Sequence, residues 1–352
     1  MPHTSYNPPR PEAVSFARLA GAALGTMCGD ALGMPVEGWS AAAIAQAHGR
    51  LERMLPGRLP AGHYTDDSQM MVAILESLAA KGRLQPDHLA QRFLARFEPK
   101  RGYGGRIFGV MRRIAEGQPW DQVGTDSFGN GGAMRVGVVG AFFADDDQAI
   151  GRAALDQCRI THHHPRGLAG AAAMALAVGL AARLGAAGRP HQGAGMVEYL
   201  VDMVRPLDEH SASRLARLAA LRLDRPGDLR RALTAEFACD VTAAESVPPA
   251  IGAFLGSRSA AEAIVLAVSL GGDTDTIGAM AGALAGAYWG VDTLPSSWLE
   301  ALENQETGRD YVLGLCRRAL AAKSTLTKSH WPDTSSGFVQ RAASSTGRAT
   351  DS

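Results

Sequence analysis

Two short acidic stretches of the sequence each stand directly before an apolar run. The first reads YTDDSQM (64–70), ahead of MVAILESLAA, and the second reads GGDTDTI (271–277), ahead of GAMAGALAGAYW. Asp and Thr are preferred at helix N-caps, and negative charge is favoured in the first turn of a helix. A cap needs only one side-chain oxygen, however, so capping leaves one aspartate of each pair unexplained.

Four carboxylates brought close together repel one another unless a cation neutralises them. Neither acidic stretch contains a Lys or an Arg that could do so. Oxygen ligands without His or Cys select Mg²⁺, Mn²⁺ or Ca²⁺, and two such ions about 4 Å apart can orient a substrate and activate a water for hydrolysis. The stretches therefore predict a site for two divalent cations, with simple helix capping as the alternative.

The composition limits the class of protein. Lys and Arg together number 35, as do Asp and Glu, and this balance argues against a dominant surface for nucleic acid or another polyanion. The four cysteines are scattered without a CxxC pair, which is typical of reduced thiols in a cytosolic protein. The N-terminus lacks the apolar run of a signal peptide, and no uninterrupted apolar stretch reaches the roughly 20 residues of a membrane span. We therefore expect a cytoplasmic protein without a membrane segment and without a strong nucleic-acid signal.

Most of the chain has the residue spacing of helices. Segments such as SRLARLAALRL (213–223) repeat apolar residues at intervals of three and four, as one face of a helix does. RVGVVGAFF (135–143) is the one serious strand candidate, and its glycines fit a closely packed helix equally well. We predict one compact all-α domain over residues 14–322, preceded by a flexible Pro-rich arm (1–13) and followed by a disordered tail (323–352).

Glycines recur inside the predicted helices, as in GAALGTMCGDALG (21–33) and GAMAGALAGAYW (278–289). Glycine weakens an isolated helix by about 1 kcal/mol relative to Ala. Its frequency here indicates that two helices approach closely, or that backbone must lie against a ligand.

Several motifs together resemble those of the ADP-ribosylglycohydrolase family, which includes the dinitrogenase-reductase-activating glycohydrolases. In the family's order, over roughly residues 17–315, the chain carries GAALGTMCGDALGMPVEGW, YTDDSQM, RGYGG, SFGNGGAMRVGVVG, ITHHHP and GGDTDTIGAMAGALAGAYWG. The resemblance implies an all-α fold with a dinuclear Mg²⁺ or Mn²⁺ centre in a cleft. It carries the family's metal ligands onto Thr65, Asp66, Asp67, Asp273, Asp275 and Thr276.

The resemblance also assigns residues to the substrate. The acidic residue of GDALGMPVE falls on Glu37, which would lie on a flap over the site; without the motif, Glu37 would be a solvated loop carboxylate. Tyr103 would border the distal ribose, and His162 would lie near the phosphates. The turn SFGNGGAMR could cradle a diphosphate through its backbone N–H groups, and by resemblance Phe128 contacts the adenine. The substrate-binding residues of this turn are Ser127, Phe128, Gly129, Asn130 and Gly131.

The expected activity is metal-dependent hydrolysis that removes ADP-ribose from an ADP-ribosylated protein, with arginine as the expected acceptor. A water activated by a carboxylate such as Asp67 or Asp275 would attack the anomeric carbon, and Glu37 would help to orient the ribose or the water. Three alternatives stay open at this point: another linkage (serine, poly-ADP-ribose, O-acetyl-ADP-ribose or a nucleic-acid end), a non-catalytic relative, and an immunity protein whose arm binds a cognate ADP-ribosyltransferase toxin.

Overall fold

The computed structural model describes residue 9 and residues 14–191, 194–221 and 226–326. α-Helices dominate this part of the chain, which contains isolated bridges between residue pairs but no strand. The predicted all-α class is therefore confirmed. In chain order the helices are α1 (Phe16–Gly33), α2 (Ala41–His48), α3 (Asp66–Lys81), α4 (Pro86–Arg96), α5 (Arg106–Ala115), α6 (Gly131–Met134), α7 (Gly137–Phe142), α8 (Asp147–Arg159), α9 (Pro165–Ala186), α10 (Ala194–Val204), α11 (Glu209–Ala219), α12 (Pro226–Glu236), α13 (Ala243–Leu255), α14 (Ala260–Val268), α15 (Thr274–Trp289), α16 (Ser296–Ala301) and α17 (Arg309–Leu326). Short 3₁₀ helices cover Met34–Val36, Pro99–Arg101 and Val291–Thr293.

The domain boundary predicted at residue 322 falls inside α17, which continues to Leu326. Lys323 lies in that last turn, and its ammonium donates hydrogen bonds to the Phe142 carbonyl oxygen at 2.7 Å and to the Asp145 carboxylate at 2.6 Å. These contacts extend the helical domain beyond its predicted end. The predicted arm, apart from residue 9, and the rest of the predicted tail lie outside the described residues.

α1 and α15 form the central contact of the fold, antiparallel and closer than ordinary side chains allow. Their glycines lie one turn apart and face one another, so that a methyl group on any of them would overlap backbone of the other helix. The predicted close approach of two helices is confirmed by this arrangement. The facing pairs are Gly21 with Gly286, Gly25 with Gly282, and Gly29 with Gly278.

The same contact sets the end of α1 against the start of α15. The Thr274 hydroxyl donates a hydrogen bond to the Gly33 carbonyl oxygen at 2.9 Å, and a methyl group on Gly33 would overlap the Thr274 backbone. α3 packs beside α1, while α9, α13 and α14 pack on α15. The two central helices therefore position the first turn of α15, where the second acidic stretch lies.

Two helical segments, Phe16–Val36 and Pro165–Ala186, are long and apolar enough to cross a membrane by length and composition. Neither is an uninterrupted apolar run, since Arg18 and Asp30 interrupt the first segment and Arg166 and Arg183 lie in the second. Both are almost entirely buried inside the protein, as core helices are.

The strand candidate RVGVVGAFF (135–143) is helical over Gly137–Phe142. Gly140 lies against the backbone of α9, and Gly137 lies against a side chain of α15. The glycines of this segment therefore serve close helix packing.

Filling the contact between α1 and α15 should destabilise the protein. We expect Gly25→Ala to lower the free energy of unfolding by about 2–3 kcal/mol or more, because the new methyl group would meet the Gly282 carbonyl, which is backbone and cannot rotate away. The control is Gly109→Ala in α5, where an added methyl group meets only the flexible Arg113 side chain and should stabilise the helix by up to about 1 kcal/mol. Denaturant titration measures both changes. Equal effects of the two substitutions would contradict the close contact.

Candidate metal and substrate site

The first acidic stretch is held in place by Asp30, a fully buried residue near the end of α1. Its carboxylate accepts the Thr65 N–H at 3.0 Å, and the N–H and hydroxyl of Ser68 at 3.0 and 2.6 Å. α3 begins at Asp66, and the Thr65 hydroxyl caps it by accepting the Asp67 N–H at 3.4 Å. Because Thr65 is the capping residue, the carboxylates of Asp66 and Asp67 are left for another purpose.

The second acidic stretch also keeps its carboxylates out of helix capping. Asp273 occupies the N-cap position of α15 but makes no side-chain cap hydrogen bond. Its carboxylate instead accepts the Asn130 side-chain N–H at 2.6 Å. Asp275 lies in the first turn, where one oxygen accepts the Thr276 N–H at 2.9 Å. Simple capping therefore does not explain these aspartates.

Both acidic stretches open into one cleft of about 330 Å³. Glu37, Asp273 and Asp275 present carboxylate oxygens within 4.8 Å of one another, a group that could hold a metal ion. Asp66 and Asp67 line the same cleft. A cation in this cleft would therefore meet carboxylates from both acidic stretches and from the loop that follows α1.

The surroundings of the two Asp67 carboxylate oxygens indicate whether a cation fits in the cleft. Its Oδ1 is buried without a hydrogen-bond partner among the described residues, while its Oδ2 accepts the Thr65 hydroxyl at 3.2 Å. A buried carboxylate oxygen without a donor is costly, and a divalent cation would supply the missing partner. Thr276 also lines the cleft, whereas Thr65 is fully buried and does not line it.

The carboxylates that line the cleft form its acidic group, which consists of Glu37, Asp66, Asp67, Asp273 and Asp275. Burial and repulsion between like charges favour the protonated forms of Asp66, Asp67 and Asp273. The pKa of Asp66 is raised to about 7, first by burial and then by the charges of Asp275 and Asp30. The pKa values of Asp67 and Asp273 are raised well above the ordinary range, by burial first and by Asp275 second. Without a cation, the cluster therefore keeps protons near neutral pH, and a bound divalent ion would release them.

Asp30 is a positioning residue that the motifs did not reveal. Its pKa is raised to about 7, again by burial first and then by Asp275. A signal was present, since Asp30 is the one charged residue of the apolar, Gly- and Ala-rich segment GAALGTMCGDALG. Aspartate is almost never fully buried without a partner, so its place in this helix indicated a buried hydrogen-bond network.

The glycine-rich turn 127–131 lies in the same cleft, but part of its backbone is already bonded within the protein. The Gly129 N–H donates to the Ser127 hydroxyl at 3.2 Å, and the Asn130 N–H donates to the Val241 carbonyl oxygen at 3.0 Å. A diphosphate cradle formed by these two N–H groups would need both hydrogen bonds to break. Asn130 acts instead through its side chain, which holds the second acidic stretch.

His162 lines the cleft, and its imidazole ring packs against Gly131. A side chain at position 131 would overlap this ring. Its Nδ1 lies 2.7 Å from the Thr161 hydroxyl, which also accepts a hydrogen bond from Arg135 at 2.8 Å. Burial, and then the Arg135 charge, lower the pKa of His162 to about 3. The imidazole is therefore neutral at pH 7 and can contact a substrate through hydrogen bonding rather than charge.

The two aromatic residues predicted to contact the substrate lie in different surroundings. Tyr103 is buried in the cleft wall, and its hydroxyl donates to the Gln69 side chain at 2.8 Å. Phe128 does not line the cleft; the residue is 42% exposed, and its ring packs edge-on against His164 with 5.7 Å between ring centroids. An adenine in contact with Phe128 would therefore lie on the outer surface of the turn.

Two arginines of the cleft were not anticipated from the sequence. The Arg58 guanidinium contacts Glu37 and donates to Asp275 at 3.1 Å, so Glu37 is ion-paired to the cleft although its side chain stays partly exposed. Arg135 is almost completely buried and donates to the Gln157 side chain at 2.7 Å. These contacts join segments far apart in the chain, so no local spacing predicts them.

Comparison with known proteins points to one family. The family model described as ADP-ribosylglycohydrolase matches residues 11–329. ADP-ribosylhydrolase ARH3 of Homo sapiens is 32% identical over 332 residues, covering 83% of this chain and 91% of that protein. ADP-ribosyl-[dinitrogen reductase] glycohydrolase of Rhodospirillum rubrum is 30% identical over 291 residues, covering 81% of this chain and 90% of that protein. A solved structure described as an ADP-ribosylglycohydrolase-related protein complex matches with a TM-score of 0.68 and 27% identity, over 88% of this chain and 98% of that chain.

Divalent cations should stabilise the protein, and increasingly so as the pH rises. Carboxylates of the unfolded chain lose their protons near pH 4, whereas Asp30 and Asp66 of the folded, metal-free protein hold theirs to about pH 7. The metal-free protein therefore loses stability as the pH rises through this window, and a bound ion removes the loss. We expect Mg²⁺ or Mn²⁺ to raise the melting temperature, relative to chelator, by more at about pH 7.5 than at about pH 5.5.

Differential scanning fluorimetry in Mn²⁺ and in EDTA at both pH values measures this difference. Melting temperatures that are equal with and without metal throughout would contradict a cation site at the acidic group.

Proposed function

Because the chain belongs to the ADP-ribosylglycohydrolase family, we propose that it is a hydrolase that uses divalent cations to release ADP-ribose from a modified arginine side chain of a protein. Family membership supports the hydrolysis of an ADP-ribose linkage, while the ions and the arginine acceptor are the finer parts of the proposal. The observation that carries it is the buried, unpartnered Asp67 Oδ1 in an acidic cleft.

A pair of Mg²⁺ or Mn²⁺ ions, held by the predicted ligands, would supply the charge that orients the ribose hydroxyls and a water. The protein fixes the orientation of those ligands before the substrate binds. Asp30 fixes the start of α3 through the N–H groups of Thr65 and Ser68, and Asn130 fixes the carboxylate of Asp273. Ligands that are already oriented need little reorganisation during the reaction, which is a main source of catalysis.

Hydrolysis breaks the bond between the anomeric carbon of the ribose and a guanidine nitrogen of arginine. A carboxylate, Asp67 or Asp275, takes a proton from the attacking water as the water oxygen bonds to that carbon. The bonding electrons leave with the nitrogen, which takes up a proton, so that arginine and ADP-ribose are the products. Glu37, at the exposed side of the cleft, orients the ribose or the water.

The contacts of Arg58 support an arginine acceptor. Glu37 and Asp275 bind the Arg58 guanidinium within the cleft, so these carboxylates have the charge and spacing to hold a guanidinium group. The Glu37 side chain is 37% exposed, which makes it accessible to an acceptor side chain that arrives from another protein.

A second candidate is hydrolysis of another linkage, to serine, poly-ADP-ribose, O-acetyl-ADP-ribose or a nucleic-acid end. Arg58 also favours this candidate, because its positive charge would repel a guanidinium group that does not displace it. The two candidates differ in whether the acceptor competes with Arg58 for Glu37 or avoids it. Direct assay of both kinds of substrate decides between them.

The cytoplasm is the proposed location. All four cysteines are buried and unpaired, which supports a reducing compartment. Burial raises the pKa of each thiol, so these cysteines are expected to be inert and to take no part in the reaction.

Purified protein with Mg²⁺ or Mn²⁺ should release ADP-ribose faster from arginine-modified than from serine-modified protein. Asp67→Asn and Asp275→Asn should each lower kcat by about 100-fold or more, because each substitution keeps the shape of the side chain and removes its charge. Asp126→Asn is the matched control, since it makes the same chemical change at an exposed position beside the glycine-rich turn and should leave the rate unchanged. Chromatographic measurement of released ADP-ribose gives all of these rates.

Wild-type rates in both cleft variants would show that these aspartates take no part in the reaction. Faster release from serine would select the second candidate. Failure to release ADP-ribose from any modified substrate, in a protein that still binds metal, would favour the non-catalytic alternative.

We also propose that the Pro-rich arm binds a cognate ADP-ribosyltransferase, as an immunity protein against such a toxin would. Pro8, Pro9 and Pro11 disfavour helix and pre-set an extended conformation, which lowers the entropy lost on docking. Deleting residues 2–13 should leave hydrolysis unchanged and weaken inhibition of such a transferase, with both assays run side by side on the full chain. Equal inhibition with and without the arm would contradict this role.

A further inference from the structure

Arg58 places a cation of the protein itself among the carboxylates of the cleft. Its guanidinium contacts Glu37 and donates to Asp275 Oδ2 at 3.1 Å. The Asp275 side chain is only 4% exposed, whereas that of Arg58 is 33% exposed. The guanidinium therefore approaches from the solvent side and covers a buried carboxylate.

The backbone at Gly102 leaves space for the Arg58 guanidinium. Gly102 has a φ of 103°, and a side chain at this position would overlap the Arg58 guanidinium. Glycine permits both the positive φ and the close approach. The turn before Gly102 is itself anchored, because Arg101 donates to the Tyr64 carbonyl oxygen at 2.7 Å and pairs with Glu303. The guanidinium therefore lies directly against the Gly102 backbone.

The oxygen that Arg58 contacts is one that a metal ion would need. Asp275 offers two oxygens, of which Oδ1 accepts the Thr276 N–H at 2.9 Å and Oδ2 accepts Arg58. Glu37 and Asp275 both belong to the group whose oxygens lie within 4.8 Å of one another. A divalent cation and a guanidinium on the same carboxylates would repel each other, so the two occupants exclude one another.

We propose that Arg58 competes with the metal ion for Asp275 and Glu37, and thereby sets the metal affinity of the cleft. Without metal, Arg58 neutralises part of the acidic group; when metal binds, the guanidinium leaves Asp275. This role rests on the metal site of the proposed function. Because it concerns metal binding and not hydrolysis, either one can fail while the other holds.

The experiment is titration of the metal-stripped full chain with MnCl₂ by isothermal titration calorimetry. Arg58→Gln removes the competing cation, and Mn²⁺ should bind about fivefold to tenfold more tightly than to the wild type, the equivalent of one partly exposed ion pair. Arg106→Gln is the matched control, because Arg106 lines the same cleft but donates to the Asp126 backbone carbonyl and not to a carboxylate. Loss of that charge at longer range should change the affinity by less than about twofold.

A second measurement separates competition from a general loss of stability. In chelator, Arg58→Gln should melt below the wild type, because the acidic group has lost its counter-ion, whereas saturating Mn²⁺ should bring the two melting temperatures together. If Arg58→Gln does not fold, Arg58→Lys replaces it in the titration. Lysine keeps the charge as a compact ammonium but lacks the planar, forked donors of the guanidinium, so Mn²⁺ should bind about twofold to threefold more tightly than to the wild type.

Equal or weaker Mn²⁺ binding in the Arg58 variants would overturn the proposal. The same gain in affinity for Arg106→Gln would also overturn it, because the cause would then be net charge and not competition for the carboxylates.

Discussion

The direct backbone contact between α1 and α15 determines where the carboxylates of the cleft lie relative to one another. Glycines on both helices let them approach until a carbonyl of one helix lies where a Cβ of the other would be. Because the helices are antiparallel, the last turn of α1 meets the first turn of α15, where Thr274 bonds to Gly33. Asp30 and the second acidic stretch are thereby brought to the same end of the helix pair.

Asp30 links α1 to the start of α3. Its carboxylate accepts the N–H groups of Thr65 and Ser68, so the start of α3 is fixed relative to α1 and, through α1, to α15. Carboxylates from separate helices are thus forced into one cleft, and the raised pKa values of Asp30 and Asp66 reflect the cost of burial and repulsion. A bound cation would offset that cost, so cation binding and helix packing would be energetically linked.

The parts of this arrangement that could be predicted from the sequence are those with a local pattern. Apolar residues at intervals of three and four indicate helices, and glycines four apart indicate close packing between helices. Capping requires only one aspartate of each pair, so the second aspartate indicates another role. The roles of Asp30 and Arg58 depend on partners far along the chain, and the outward direction of Phe128 depends on how its turn packs. For Arg58 and Phe128 the sequence holds no local signal of these contacts, whereas a charged residue in the apolar segment of α1 was a clue to the role of Asp30.

We propose that these helix ends assemble a site for divalent cations. Crystals grown with Mn²⁺ and measured at the manganese absorption edge test this proposal, because anomalous peaks locate the ions without any assumption about their ligands. We predict peaks inside the acidic cleft, one of them within about 2.0–2.6 Å of Asp67 Oδ1. Absence of manganese from the cleft, with Asp67 Oδ1 still lacking a partner, would contradict the proposal.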